Sequence, residues 1–134
     1  MSRIELAAGE EHEGVKRRLA NFMQEKYSYE ITHMADAAPD YPQPPKIGRH
    51  IPDILAEKKV GDKIFKAIGE AKSCVGLDDD ETKEQIEDYR FENSGCEFFL
   101  GVPKRCQEKA EKILNELGVS YSRNKKNHLV LINI

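Results

Sequence analysis

No apolar run in this 134-residue chain is long enough to cross a bilayer, which excludes a membrane-spanning helix from the expected fold. The opening Met1-Ser2-Arg3-Ile4-Glu5 lacks the apolar stretch of a secretory leader, so the expected compartment is the cytoplasm. Cysteine is scarce and odd in number. Cys74, Cys96 and Cys106 show no Cys-x-x-Cys spacing, which argues against a disulfide framework and against a zinc site. Three idle or buried thiols are expected instead. A charge excess of one sign is missing too: 34% of residues are charged, yet the net charge is only -3. Any binding to nucleic acid must therefore come from a local patch and not from the field of the whole molecule. No repeat or low-complexity segment divides the sequence, and residues 1–134 read as a single domain.

What is present alternates between helical and strand periodicity. Val15, Leu19, Phe22 and Met23 give an apolar stripe to a helix over residues 9–27, with Lys16, Arg17 and Arg18 largely outside it. A strand is expected at 27–32, followed by an irregular stretch at 35–50 that contains Pro39, Pro42, Pro44 and Pro45. A hairpin comes next. Asp78, Asp79 and Asp80 open a second helix that ends by Gly95. Residues 96–102 form an apolar strand, and Pro103 starts a helix with Ala110, Ile113, Leu114 and Leu117 on its buried face before Gly118 stops it. Strands at 119–121 and 128–134 close the chain around the basic turn Arg123-Asn124-Lys125-Lys126. The expected order is α-β-β-β-α-β-α-β-β, an α/β domain with a mixed sheet flanked by helices.

The hairpin carries the chemistry. Gly61-Asp62 is an accepted two-residue loop. With that turn, Val60 pairs with Lys63, Leu55 faces Ile68, Glu57 faces Lys66, and Asp53 faces Glu70. Directly opposed side chains have Cβ atoms ~5 Å apart, so both carboxylates could reach one cation at a Mg–O distance of ~2.1 Å. Ile68, Glu70 and Lys72 share a face by the period of two. Two opposed carboxylates destabilise a sheet unless a positive charge sits between them. Neutralising either one is therefore expected to leave the metal-free protein no less stable.

Pro52-Asp53 and Glu70-Ala71-Lys72 on consecutive strands, within this element order, resemble the PD-(D/E)XK nuclease superfamily with its restriction-endonuclease-like fold. Two further marks are similar to its RecB-like and Holliday-junction-resolvase-like branches. Gln85-Ile86-Glu87-Asp88-Tyr89 matches the Gln-x-x-x-Tyr motif, and Gly9-Glu10-Glu11-His12-Glu13 matches the Gly-x-x-x-Glu/His pattern of the first helix. The resemblance implies a Mg²⁺- or Mn²⁺-dependent deoxyribonuclease, free in solution or in a homodimer or larger nuclease complex. Asp53 and Glu70 would ligate the metal with the Ala71 carbonyl, and Lys72 would orient or deprotonate the attacking water. Gln85 and Tyr89 would position the lysine or the nucleic-acid strand. On the first helix the family's spacing favours Glu13 as the extra ligand, whereas helical phase puts His12 and Glu11 nearer the buried stripe, so both His12 and Glu13 stand as candidates.

The alternative is a non-catalytic nuclease-like module that binds nucleic acid or a protein partner; a third reading is an unrelated α/β binding domain. Basic clusters that could meet phosphates are Lys16-Arg17-Arg18, Lys58-Lys59-Lys63, Lys104-Arg105 and Arg123-Lys125-Lys126, and Tyr41 could stack on a base.

Overall fold

A computed structural model describes residues 3–123 and 127–134, with side chains from residue 9 onward. The element order is α1 (Arg3–Tyr27), β1 (Glu30–Met34), β2 (Ile54–Val60), β3 (Lys63–Ala71), α2 (Asp80–Tyr89), α3 (Phe91–Ser94), β4 (Glu97–Val102), α4 (Gln107–Glu116) and β5 (Leu129–Asn133). Short 3-10 turns at Gly76–Asp78 and Lys104–Cys106 precede α2 and α4. The five strands lie in the order β1-β2-β3-β4-β5. The first three are antiparallel neighbours, and β4 and β5 join parallel to β3, so the sheet is mixed.

The sheet has a core on each face. On one, Leu19 and Met23 of α1 lie fully buried against Ile54, Ala67, Phe99 and Val130. On the other, Ile86 and Tyr89 of α2 and Ala110, Ile113 and Leu114 of α4 cover Ile68, Phe98, Leu100 and Leu131. Each wholly buried Leu, Met or Phe contributes roughly 1.5–3 kcal/mol. Gly69 and Gly101 let α1 approach closely: a Cβ there would meet the Met23 sulfur at 3.0 Å and Leu19 at 3.2 Å. That close approach brings the N-terminal half of α1 to the end of the sheet where Asp53 lies.

Several expectations are corrected. The helix expected at 78–95 breaks at Arg90, whose extended ψ of 148 separates α2 from α3. No strand forms at 119–121; Gly118 turns with φ +67, and among the described residues of this segment the chain meets the sheet at a single bridge, Ser122 to Val130. The basic residues Lys125 and Lys126 lie outside the described residues. The first strand starts three residues later than expected, because Ser28 adopts φ 60 and turns the chain out of α1.

The cysteine expectation also needs correction, because Cys74 and Cys106 form a disulfide while Cys96 is free and buried. The pairing has a topological cause. Strands β3 and β4 run parallel with Ala71 beside Gly101, so the segments that leave them start side by side at the same end of the sheet. A separation of 32 residues hides this proximity from the sequence.

Candidate metal centre

Register places the two carboxylates. The ladder between β2 and β3 pairs Val60 with Lys63 and runs without a slip to Ile54 and Gly69, so Asp53, just ahead of β2, stands opposite Glu70. A proline is tolerated at such a strand margin, where its missing N–H breaks no ladder bond. Asp53 is then fixed from three sides. Its N–H donates to Glu70 Oε1 at 3.0 Å, its carbonyl accepts from the Ala35 N–H at 2.8 Å, and its Oδ2 accepts from the Ala71 N–H at 2.8 Å.

His12 of α1 completes this corner, with Nε2 3.1 Å from Asp53 Oδ2. Glu13 points elsewhere: its Oε1 accepts from Lys16 Nζ at 2.8 Å and stands 3.9 Å from His12 Nδ1. Helical phase, rather than the family spacing, thus decides which first-helix side chain reaches Asp53. Glu11 is not at the carboxylates either; its Oε1 accepts from the Cys74 N–H at 2.8 Å, and its Oε2 pairs with Arg105.

Lys72 continues β3, its N–H donating to the Gly101 carbonyl at 3.0 Å. Its ammonium lies 3.9 Å from Glu70 Oε2 and donates to Gln85 Oε1 in a short hydrogen bond. Gln85 therefore holds the lysine. Tyr89 does not. It is 0% exposed, packed edge-on against Phe98, and cannot touch a nucleic-acid strand. Its hydroxyl is the only buried side-chain polar atom without a hydrogen-bond partner among the described residues.

The sequence reading missed Lys16. It is 2% exposed, and its ammonium donates to the Ala35 carbonyl at 2.7 Å as well as to Glu13. Ala35 in turn bonds Asp53, so a buried amine on α1 braces the strand that carries the carboxylate. The signal was present: His12, Lys16, Leu19 and Met23 recur at steps of four, three and four, which is one helical face.

Burial and charge set the protonation states. Glu70 is nearly inaccessible, and burial together with the Asp53 charge drives its pKa well above the carboxylate range, only partly offset by Lys72. Burial acts on Asp53 in the same direction, but the hydrogen bond and charge of His12 and the Ala71 N–H outweigh it and lower its pKa. The hydrogen bond to Asp53 raises the pKa of His12. Without a cation, the surroundings therefore favour the ionised form of Asp53, the protonated form of His12 and the neutral form of Glu70.

No family model, curated protein or solved structure matches the chain. What the centre can do must come from its own groups. Two carboxyl groups within hydrogen-bonding reach of each other could hold a divalent cation and its water if the cation displaced the proton of Glu70. Among the described residues no three His, Cys, Asp or Glu side chains form a ready cage. Mg²⁺ or Mn²⁺ is commonly held by one or two carboxylates with water in the remaining positions, which Asp53 and Glu70 could provide.

The two carboxylates also separate in a way the opposed-charge argument did not foresee. Glu70→Gln is expected to melt no lower than wild type without metal, since burial and the Asp53 charge already favour the neutral form of the replaced group. Asp53→Asn should cost about 1.5–3 kcal/mol, the range for hydrogen bonds to a charged group. Metal-free thermal unfolding of both variants checks this, and equal losses would refute the assigned charges.

Proposed function

We propose that this chain is a metal-dependent nuclease of the PD-(D/E)XK type that hydrolyses phosphodiester bonds of DNA. One observation carries the reading: Asp53 and Glu70 meet in register at the end of paired strands, with Lys72 on the same face and held by Gln85. Asp53, Glu70, the Ala71 carbonyl and His12 would hold Mg²⁺ or Mn²⁺, with Glu13 behind His12. A cation bound there would acidify water and neutralise charge that develops on the phosphate.

The protein's own groups supply the rest. Lys72 places an ammonium beside Glu70 where it can orient a water and meet the anionic phosphorane-like transition state. Gln85 fixes that ammonium by accepting one of its hydrogens. Lys16, through Ala35, keeps Asp53 from shifting as charge changes at the centre. No helix among the described residues is long and apolar enough to cross a membrane. We keep the cytoplasm as the proposed compartment, where a structural disulfide persists in hyperthermophiles and elsewhere exchanges with the thiol pool.

A cleavage assay on single-stranded, duplex and branched DNA, with Mg²⁺ and with Mn²⁺, tests the activity. Mn²⁺ should also raise the melting temperature, by an amount equivalent to about 2.7 kcal/mol at one hundred times Kd. A protein that neither cleaves nor responds to Mn²⁺ would instead be the non-catalytic module.

The rise should depend on pH. Glu70 and His12 have folded-state pKa values above their ordinary 4.5 and 6.5, so the stability they contribute is complete below those values. It is lost as pH climbs through the raised ones. Asp53 acts in the opposite sense, contributing above 3.8 and fading as acid protonates it. Metal-free melting temperature is thus expected to fall as pH rises above the ordinary carboxylate range and on through the raised pKa values of Glu70 and His12, and saturating Mn²⁺ should remove the fall because the cation displaces those protons. Parallel curves with and without Mn²⁺ would show that the cation binds elsewhere.

A further inference from the structure

The hairpin that sets the register also extends beyond the rest of the fold. β1 pairs with β2 only as far as Glu57, and β4 meets β3 only from Ala67. Residues 58–66 are therefore a two-stranded ribbon with no neighbouring strand on either side among the described residues. Of the six large hydrophobic residues most exposed among the described residues, Val60, Ile64 and Phe65 lie on it, at 54%, 60% and 41% exposure. An isolated hairpin is marginal in water, and three exposed apolar side chains do nothing for solubility.

Charge is concentrated on the same nine residues. Lys58, Lys59, Lys63 and Lys66 against Asp62 give the ribbon a charge of +3, although the chain as a whole carries -3 and the remainder therefore -6. Lys58 is committed inward, donating to the Tyr27 carbonyl at 2.9 Å and lying 4.6 Å over the Tyr29 ring. Among the described residues no carboxylate forms an ion pair with Lys59, Lys63 or Lys66; Glu57 faces Lys66 across the ladder but makes no salt bridge with it. The pairing also distributes these groups. One face shows Lys59, Ile64 and Lys66, and the other shows Val60, Lys63 and Phe65, so each carries lysine beside an apolar side chain.

We propose that this ribbon is a docking element for duplex DNA, entering the major groove with one face, Lys59, Ile64 and Lys66, against one groove wall and the other, Val60, Lys63 and Phe65, against the opposite wall, the lysines on phosphates and the apolar side chains packed beside them. A major groove about 12 Å wide admits a two-stranded ribbon, and cationic side chains on both faces match walls of phosphate on both sides. A-form RNA has a deep, narrow major groove that excludes such a ribbon. A single strand is disfavoured because one aromatic ring offers little stacking surface. Six residues separate Glu70 from Ile64 along β3, or about 20 Å at the rise of a strand, so the ribbon holds the duplex away from the centre and leaves the metal site unhindered. The proposal takes its partner class from the nuclease reading but does not need the chemistry to occur.

Fluorescence anisotropy of a labelled DNA duplex in EDTA, titrated with salt, tests it while cleavage is suppressed. Lys59→Ala/Lys63→Ala/Lys66→Ala should bind more weakly and flatten the slope of log K against log salt by about 2 to 3, near 0.9 per lost phosphate contact. Ile64→Ser/Phe65→Ser should weaken binding with little change of slope, and duplex RNA should compete poorly. These positions are exposed, and the variants should keep the wild-type melting temperature and Mn²⁺ response. Wild-type affinity and slope in the triple-lysine variant would overturn the proposal, as would equal binding of duplex RNA. Loss of a dimer in Ile64→Ser/Phe65→Ser, with duplex binding intact, would assign the ribbon to a second copy of the chain and overturn it as well. The two readings fail separately. Loss of duplex binding in variants of a wild type that never cleaves would sink the nuclease and leave the ribbon standing. A wild type that cleaves, with ribbon variants that bind normally, would do the reverse.

Discussion

Lys72→Ala is expected to lower cleavage by roughly a hundred- to ten-thousand-fold, the range for a lost general acid–base group, with Mn²⁺ affinity unchanged or higher. The asymmetry follows from position. The ammonium stands 3.9 Å from Glu70 and cannot ligate a metal, so removing it takes a competing positive charge away from the carboxylates. It also removes an ammonium placed beside Glu70 to meet a phosphate. Gln85→Leu should reproduce part of the loss, since it frees the ammonium without deleting it. Single-turnover cleavage beside a Mn²⁺ titration separates the two effects. Wild-type turnover in Lys72→Ala would reduce the lysine to a salt-bridge partner and leave the proposed chemistry without its proton-handling group.

The second large effect is structural. Closing a loop across the 32 residues between Cys74 and Cys106 should stabilise the fold by about 3–4 kcal/mol by the chain-entropy estimate. Cys74→Ser/Cys106→Ser, or reduction with a dithiol, should lower the melting temperature by roughly 10–20 °C. Activity well below that temperature should fall far less. The segment after Lys72 keeps polar ties of its own: the Cys74 N–H to Glu11, Lys109 Nζ to the Cys74 carbonyl at 3.4 Å, and the Gly76 N–H to Ser73 Oγ at 2.9 Å. A double variant as stable as wild type would mean that the bridge closes nothing the fold does not already close.

Legibility in the sequence divides along physical lines. The hairpin register could be read because a two-residue turn and a period of two leave one solution, and the ladder follows it from Val60–Lys63 to Ile54–Gly69. The two helical layers followed from apolar periodicity. The disulfide was invisible because only the crossover from β3 to β4 makes Cys74 and Cys106 neighbours. Lys16 was set outside the buried stripe by its charge, although its position in the helix put it inside; the deciding partner, the Ala35 carbonyl, is 19 residues away. His12 and Glu13 differ by one residue and thus by about 100° of helix, a difference that the resemblance alone left open. Tyr89 matched a motif, but its depth behind Phe98 depends on how α2 packs, which no spacing rule contains.

The turn at Gly61-Asp62 has a reach out of proportion to its size. It lies eight residues from each carboxylate, with no part in holding either, yet it sets the count that brings them together. One added residue there would slip one strand against the other by a single step and, by the parity of a pleated chain, send Glu70 and Lys72 to the α1 side while Asp53 stayed behind. The tip thus tolerates a change of residue at Asp62 more readily than at Gly61, which holds φ 62, and a change of number at neither. Residue substitutions can retune what the ribbon touches, whereas a single insertion or deletion would dismantle a site that lies at the other end of the hairpin.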